Sequence, residues 1–250
     1  MTRFLRRAAI LGAALAVLHG VRLAVGPRAA LTTGAVLLVG SLLVLVVLPR
    51  VAHRAFRRGA FGRAAVSYWL LGWLRVDGAA RAALQLSVAA CLLGRERHRD
   101  GLARLDRIDR DALRESARAA WHNNRAYALT RSGADAAQAM VDIDAAIALR
   151  PDVAAFRHTR GLALLAGGRL DDAIRELDLV WQRGEGGPPL LEAERCFDMG
   201  IAWSRKGERE YAADYFERAR RAAPGSAWAA RAAARLAPSD QLPDALVELA

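Results

Sequence analysis

The residues able to do acid–base, nucleophilic or metal chemistry are few and scattered. The five histidines are His19, His53, His98, His122 and His158. None stands at the spacing from another histidine or a cysteine that places two ligands on one face of a helix. His122 and His158 each fall in a stretch that reads as helix, where a packed or solvated imidazole is the ordinary case and a catalytic base is not. The two cysteines, Cys91 and Cys196, lie in apolar helical stretches. They form no disulfide framework and no ligand spacing, and read as small buried thiols of a reducing compartment. Most carboxylates recur with arginine at helix-face spacing, as Asp172 and Glu176 do with Arg175, which is the pattern of a solvated face. No glycine-rich phosphate loop or nucleophile elbow is present. The expectation is a protein that is not an enzyme and carries no cofactor and no metal.

The triplet His98-Arg99-Asp100 matches the catalytic loop of protein kinases in three letters only. The asparagine that should follow the aspartate is replaced by Leu105, and no glycine-rich loop, strand lysine or Asp-Phe-Gly accompanies it. A polar turn between helices accounts for it.

The elements that would position any site are therefore what the sequence describes best. The formal charge of +11 is unevenly placed. Residues 1–58 hold nine arginines and no acid, so they carry +9, whereas residues 59–250 hold 28 basic and 26 acidic residues and carry +2. A nucleic-acid footprint needs a basic face on the folded domain, and the chain beyond residue 58 is nearly neutral, so no nucleic-acid partner is expected. Lys206 is the only lysine, an arginine bias expected of a GC-rich bacterial genome.

Residues 29–48 contain no charge and are dominated by leucine and valine. Twenty such residues span a hydrocarbon core of about 30 Å at about 1.5 Å per residue. Residues 8–26 form a second candidate that includes His19 and Arg22. Isoleucine, leucine and valine at about −0.3 to −0.6 kcal/mol each roughly offset one arginine at about +3 kcal/mol, and Arg22 is near enough to the end to snorkel. The reading is a hairpin of two transmembrane helices joined at Val25-Gly26-Pro27-Arg28. Arg3, Arg6 and Arg7 precede it, Arg50, Arg54, Arg57 and Arg58 follow it, and the turn holds only Arg28. The positive-inside rule puts both ends in the cytoplasm. A cleaved signal peptide is the rival for the first segment, although no convincing small-x-small cleavage site follows it, since His19 and Arg22 intervene. Either way the prediction is a protein of the inner (cytoplasmic) membrane with its soluble part facing the cytoplasm. Ala8, Gly12, Ala16 and Gly20 share one face of the first helix, fit for packing of the hairpin on itself or for dimerisation. The oligomeric state is left open.

After the arginines, residues 63–76 read as a helix with Val66, Trp69, Leu70 and Trp73 on one face. Trp69 and Trp73 are expected either at the membrane interface or, in preference, buried against the next helix, about residues 79–93. A polar stretch, Gly94–Gly101, then precedes Leu102–Ile108. These segments read as degenerate helix pairs of unfixed register. The clear signal follows them. Ala139, Ala173 and Ala212 each precede a large apolar residue by four positions (Ile143, Leu177, Phe216) and a small or β-branched residue by seven (Ala146, Val180, Ala219). The first two units are 34 residues apart, and the third is displaced by five more within the Gly-Pro stretch from Gly184 to Pro189. Such a period means stacked helix pairs. Helices are expected at 117–131 and 135–149, 153–166 and 170–183, and 190–206 and 209–222. Ser226 would cap a last helix, Ala227–Leu236, covering the end of the stack. One further turn is expected at Asp244–Leu249.

These units resemble the tetratricopeptide repeat (TPR) family. The third has Gly200, Trp203, Gly207, Ala212, Phe216, Ala219 and Pro224 at the family's small, aromatic and terminal proline positions. The second has Gly161, Leu164, Gly168, Leu170, Ala173, Leu177 and Val180. The first has Tyr127, Ala139, Ile143, Ala146 and Pro151, with Tyr127 in place of the usual small residue. The resemblance covers residues 117–236 and implies an all-α fold. Together with the hydropathy reading, the expected organisation is a transmembrane hairpin anchor (1–58), degenerate helical pairs (59–116), a TPR-like α-solenoid with a capping helix (117–236) and a tail (237–250). In this family the first helix of each pair lines a concave groove for peptides. Carried over by position, that lining is Asn124, Ala128 and Arg131, then His158, Leu162 and Leu165, then Phe197, Ile201 and Arg205. The chain departs from the carboxylate clamp of some members: Asn124 and Ala128 stand where its first lysine and asparagine would be, and Glu194 and Asp198 replace its last two bases. The implied partner is a protein or peptide segment of mixed or amphipathic character. The implied function is a membrane-anchored interaction scaffold or adaptor, or else an accessory or regulatory subunit of a membrane enzyme or transporter.

Overall fold

The computed structural model describes residues 2–75, 77–182 and 188–237. Every regular element among them is helical. The chain divides into two compact units, residues 1–76 and 77–250.

The first unit begins with α1 (Thr2–Val25) and α2 (Pro27–Leu42). Gly26 between them takes φ +109°, which a residue with a Cβ resists, and Pro27 opens α2 at the position where its missing N–H costs nothing. A five-residue π turn, Leu43–Val47, leads without a break into α3 (Leu48–Arg57). The result is one helix from Pro27 to Arg57, 31 residues long with a mean hydropathy of 2.6 over its most apolar window, none of which is buried. This helix outruns the expected span and carries the first flanking arginines within it. Gly34 approaches Leu18 of α1. By contrast Gly12, Ala16 and Gly20 are exposed, so at these positions the hairpin does not pack on its small-residue face; Ala8 lies outside the described side chains. A three-residue turn containing Gly59 then joins α3 to α4 (Phe61–Trp73). The two helices lie side by side, with Ala52 and Ala64 buried and Phe56 edge-on to Phe61 at 5.4 Å. Trp69 and Trp73, for which burial was the preferred expectation, are exposed by 48% and 76%.

The second unit stacks helix pairs: α5 (Gly78–Gly94) with α6 (His98–Leu105), α7 (Glu115–Arg131) with α8 (Ala136–Leu149), α9 (Ala154–Ala166) with α10 (Leu170–Gln182), and α11 (Pro189–Arg205) with α12 (Arg209–Ala222). The last helix among the described residues, α13 (Ala227–Leu236), packs on α12 and α11. Helix α6 starts at His98, inside the stretch expected to be a connector. The tail turn at Asp244–Leu249 lies outside the described residues.

The repeat residues make the core. Ala139, Ile143, Ala146, Ala173, Leu177, Val180, Ala212, Phe216 and Ala219 are all buried. A Cβ on Gly161 would stand 2.7 Å from Leu177, and one on Gly200 would stand 2.6 Å from Phe216, so these glycines set the crossing distance of their pairs. In the first clear pair Ala126 takes that place, buried among Ala139, Ile143 and Ala146, and Tyr127 does not. The cause is a longer turn. Gly133, Gly168 and Gly207 all have positive φ at the corner of their pairs. Gly133 precedes Gly168 by 35 positions where Ala139 precedes Ala173 by 34. The additional residue slips α7 by one position, about 100° of helical rotation, and turns Tyr127 away from α8.

Candidate functional site

Three first helices meet inside the stack. Asp198 of α11 is their common point, buried to 1% exposure. Arg131 of α7 donates from Nη1 to Asp198 Oδ1 at 2.9 Å and from Nη2 to Oδ2 at 2.7 Å, a bidentate fork. Its Nη2 also reaches Glu194 Oε1 at 2.8 Å, and the Tyr127 hydroxyl donates to the same oxygen at 2.6 Å. His158 Nε2 of α9 lies 3.1 Å from Asp198 Oδ2. The face of the Arg131 guanidinium is covered by Trp228 of α13, whose ring centre is 4.7 Å from Cζ. Arg231, one turn further along α13, crosses to Glu96 after α5. Glu96 holds φ +60°, a left-handed conformation usually left to glycine.

The electrostatics follow from this enclosure. Burial alone would raise the Asp198 carboxyl, yet Arg131 and the His158 hydrogen bond hold it below the usual carboxylate range. Burial would likewise lower Arg131, and the Asp198 and Glu194 carboxylates drive it well above the ordinary arginine value. Burial and then Glu194 push the Tyr127 hydroxyl up. Each side chain of the cluster has an internal partner, although Arg131 Nε itself is buried without one, so the arrangement fixes the relative position of the three first helices.

The expected groove residues are distributed around this cluster. Arg131 and His158 are brought together on Asp198. Ala128, Leu162 and Leu165 are buried in the packing of the stack, and the Leu165 carbonyl accepts from Arg205 Nη1 at 2.6 Å. Phe197 packs on Phe216 and Trp228 at 5.6 and 5.5 Å, and Ile201 is half-buried between two apolar clusters. Asn124 is half-buried beside Asn123, whose Nδ2 lies 3.3 Å from its Oδ1. Sequence reasoning saw Glu194 and Asp198 only as departures from a clamp. It missed them, with Tyr127 and Trp228, as the partners that fill the interior. The available signal was one basic residue on α7 against two acids one turn apart on α11.

A second, open cleft of about 550 Å³ lies where α7 and α8 meet the loop after α6. His122 Nδ1 is 2.8 Å from Asp142 Oδ1, Arg125 bonds the other oxygen of Asp142, and Arg125 Nε reaches Asp106 at 2.9 Å. The Trp121 indole N–H is spent on the Leu105 carbonyl at 2.9 Å. His122 and Arg125 hold Asp142 below the usual carboxylate range against the effect of burial. No serine, threonine, cysteine or lysine lines the cleft. Among the described residues no group of three histidine, cysteine, aspartate or glutamate side chains converges as metal ligands would.

No protein-family model matches the chain, and no curated protein matches it. Solved structures do. TTC0263, a thermophilic TPR protein of Thermus thermophilus, is similar with a TM-score of 0.56 at 16% identity, over 75% of this chain and 96% of that one. Two others are similar more distantly. TPR-like repeats of a putative kinesin light chain from Podospora anserina give a TM-score of 0.47 at 18% identity, over 71% of this chain and 94% of theirs. YrrB, described as a TPR protein with an unusual peptide-binding site, gives 0.44 at 16%, over 75% of this chain and 91% of its own. At these identities the likeness to TTC0263 establishes fold alone: the helix pairs form a TPR-type solenoid.

Proposed function

We propose that the chain is a non-catalytic protein–protein interaction scaffold, held in a bacterial inner membrane by its N-terminal helices and presenting its solenoid to the cytoplasm. The observation that carries the anchoring is the helix from Pro27 to Arg57, long and apolar enough to cross a bilayer and unburied along its apolar window. A core helix of a soluble domain would have that surface covered. The orientation rests on the arginines before α1 and after the apolar run. The interaction role rests on the TPR-type fold, which stacks surfaces for other polypeptides.

Within that role the groove positions divide. Asn124, Ile201 and Arg205 keep some access to a peptide as the stack stands. Arg131 and Phe197 are partly covered by Trp228 of α13, and His158 is buried against Asp198. The filled interior also favours a second reading, an accessory or regulatory subunit of a membrane enzyme or transporter, because the outer faces and the hairpin are then the surfaces left for a fixed partner.

The test uses the full chain expressed in bacteria. Membranes washed with alkaline carbonate should retain it, and protease added to intact spheroplasts should leave the solenoid uncut. Release by carbonate, or digestion in spheroplasts, would overturn the anchoring or the orientation respectively. Photocrosslinkers at Asn124 and Arg205 should then trap a partner that a crosslinker on α8 does not; equal capture from both positions would shift the role to the outer faces.

A further inference from the structure

We infer that α4 is a second membrane contact, an interfacial helix that seats Trp69, Leu70, Trp73 and Leu74 at the headgroup–acyl boundary of an anionic bilayer. This rests on the anchoring proposed above and extends it from the span to the segment after it.

One face of α4 is spent: Ala64 and Leu71 are buried. The other carries Val66, Trp69, Leu70, Trp73 and Leu74, exposed between 43% and 76%. Their spacing of three and four residues makes a continuous apolar stripe. Trp69 and Trp73 meet edge to face at 5.8 Å on that stripe, an amphipathic pair of the kind that prefers the bilayer interface.

The position of α4 supports the same occupant. It is joined to α3 by three residues and packs beside it, so it runs back toward the end of the apolar stretch rather than away from it. Its C-terminal half, which holds both tryptophans, is the part nearest the level where Val46 and Val47 give way to Arg50.

The charge is complementary to acidic lipid. Residues 1–76 hold eleven arginines and no aspartate or glutamate; residues 77–250 hold 26 basic and 26 acidic residues. The whole formal charge of +11 thus lies in the first unit. Arg50 and Arg54 follow the apolar run on α3, where anionic headgroup phosphates would meet them.

The experiment reconstitutes the full chain into vesicles of phosphatidylethanolamine and phosphatidylglycerol containing phosphatidylcholine brominated near the headgroup. Tryptophan quenching is read for wild type and for Trp69→Phe/Trp73→Phe, with circular dichroism to confirm equal helix content. The wild type should float with the vesicles and be quenched, and the variant should float while losing at least two-thirds of that quenching. A chain that floats with equal quenching in both forms would overturn the inference and leave the anchor standing. A chain that does not float would overturn the anchor, and the inference with it. Trp69→Cys labelled with a spin probe gives an independent reading. A probe more accessible to oxygen than to a water-soluble nickel complex is expected, and the reverse would overturn the inference.

Discussion

Replacing Asp198 by alanine tests the reading of the solenoid interior most directly. Asp198 accepts both arms of the Arg131 fork and the His158 contact, and it is fully enclosed. Its removal leaves Arg131 buried with only Glu194 Oε1 as an anionic partner. Deleting one member of a buried ion pair costs about 3–5 kcal/mol, because the remaining charge is stranded. Glu194 keeps part of the compensation, so the lower figure applies, about 3 kcal/mol. In a unit of this size each kcal/mol moves Tm by about 2–4 °C, which gives a fall of about 6–12 °C. The pH dependence has a definite sign. The carboxyl is held below its ordinary range in the folded state, so its contribution is complete above the unfolded value of about 3.9. It disappears as pH falls through the lower folded value. The gap between wild type and Asp198→Ala should therefore be full at neutral pH and should close on acidification below about pH 4. Urea titration of the full chain in detergent, read by pulse proteolysis, measures both. A gap under about 1 kcal/mol at neutral pH would refute the stranded-charge argument, and so would a gap that widens on acidification. The replacement Arg131→Met/Glu194→Gln/Asp198→Leu should recover most of the loss, since it removes every charge of the cluster that would be stranded and leaves an amide oxygen for the Tyr127 hydroxyl.

Three further outcomes follow from the packing. Gly200→Ala drives a Cβ to within 2.6 Å of Phe216 and should cost about 1–3 kcal/mol in urea titration, with Phe216→Leu in the same chain recovering part of it. Ser226→Ala removes the hydroxyl that accepts from Ala229 N at 3.1 Å. It should cost about 1 kcal/mol, and hydrogen exchange should quicken in α13 before it quickens in α9. Burial raises the Cys91 thiol to about 11 and the Cys196 thiol to about 12. Neither should react with an aromatic disulfide reagent at pH 8 in the folded chain, and both should react at once in urea.

Much of the solenoid was legible because its signal is local and repeated. The alanine, large apolar and small residues of α8, α10 and α12 lie on one face at fixed spacing, and all are buried as that spacing requires. The cap of α13 was legible for the same reason, since Ser226 needs only residues three positions away. The slip of α7 was hidden. The second helices α8 and α10 keep the 34-residue period, so an additional residue in the turn at Gly133 leaves their pattern untouched while moving Tyr127 off it. The interior was hidden for a different reason. Arg131 and Asp198 are separated by 67 positions, and nothing in the period says how tightly the stack coils. A looser coil of the same repeats would leave an open channel where this one brings α7 and α11 into contact. Trp69 and Trp73 carried two readings that differ only in what covers them, and nothing within the first unit covers them.

The contact of Arg231 with Glu96 spans 135 positions and joins the last helix to the turn after α5. A stack with neighbour contacts alone folds by nucleating anywhere and growing, and its ends fray independently. Here the two ends are tied, and Trp228 lies over a charge carried on α7. Such long-range closure raises contact order, so the last step of folding must wait for a large loop to close. During synthesis α7 emerges with its arginine unpartnered until α11 has followed it. The nascent solenoid thus passes through a stage in which Arg131 has neither its carboxylates nor its indole cover.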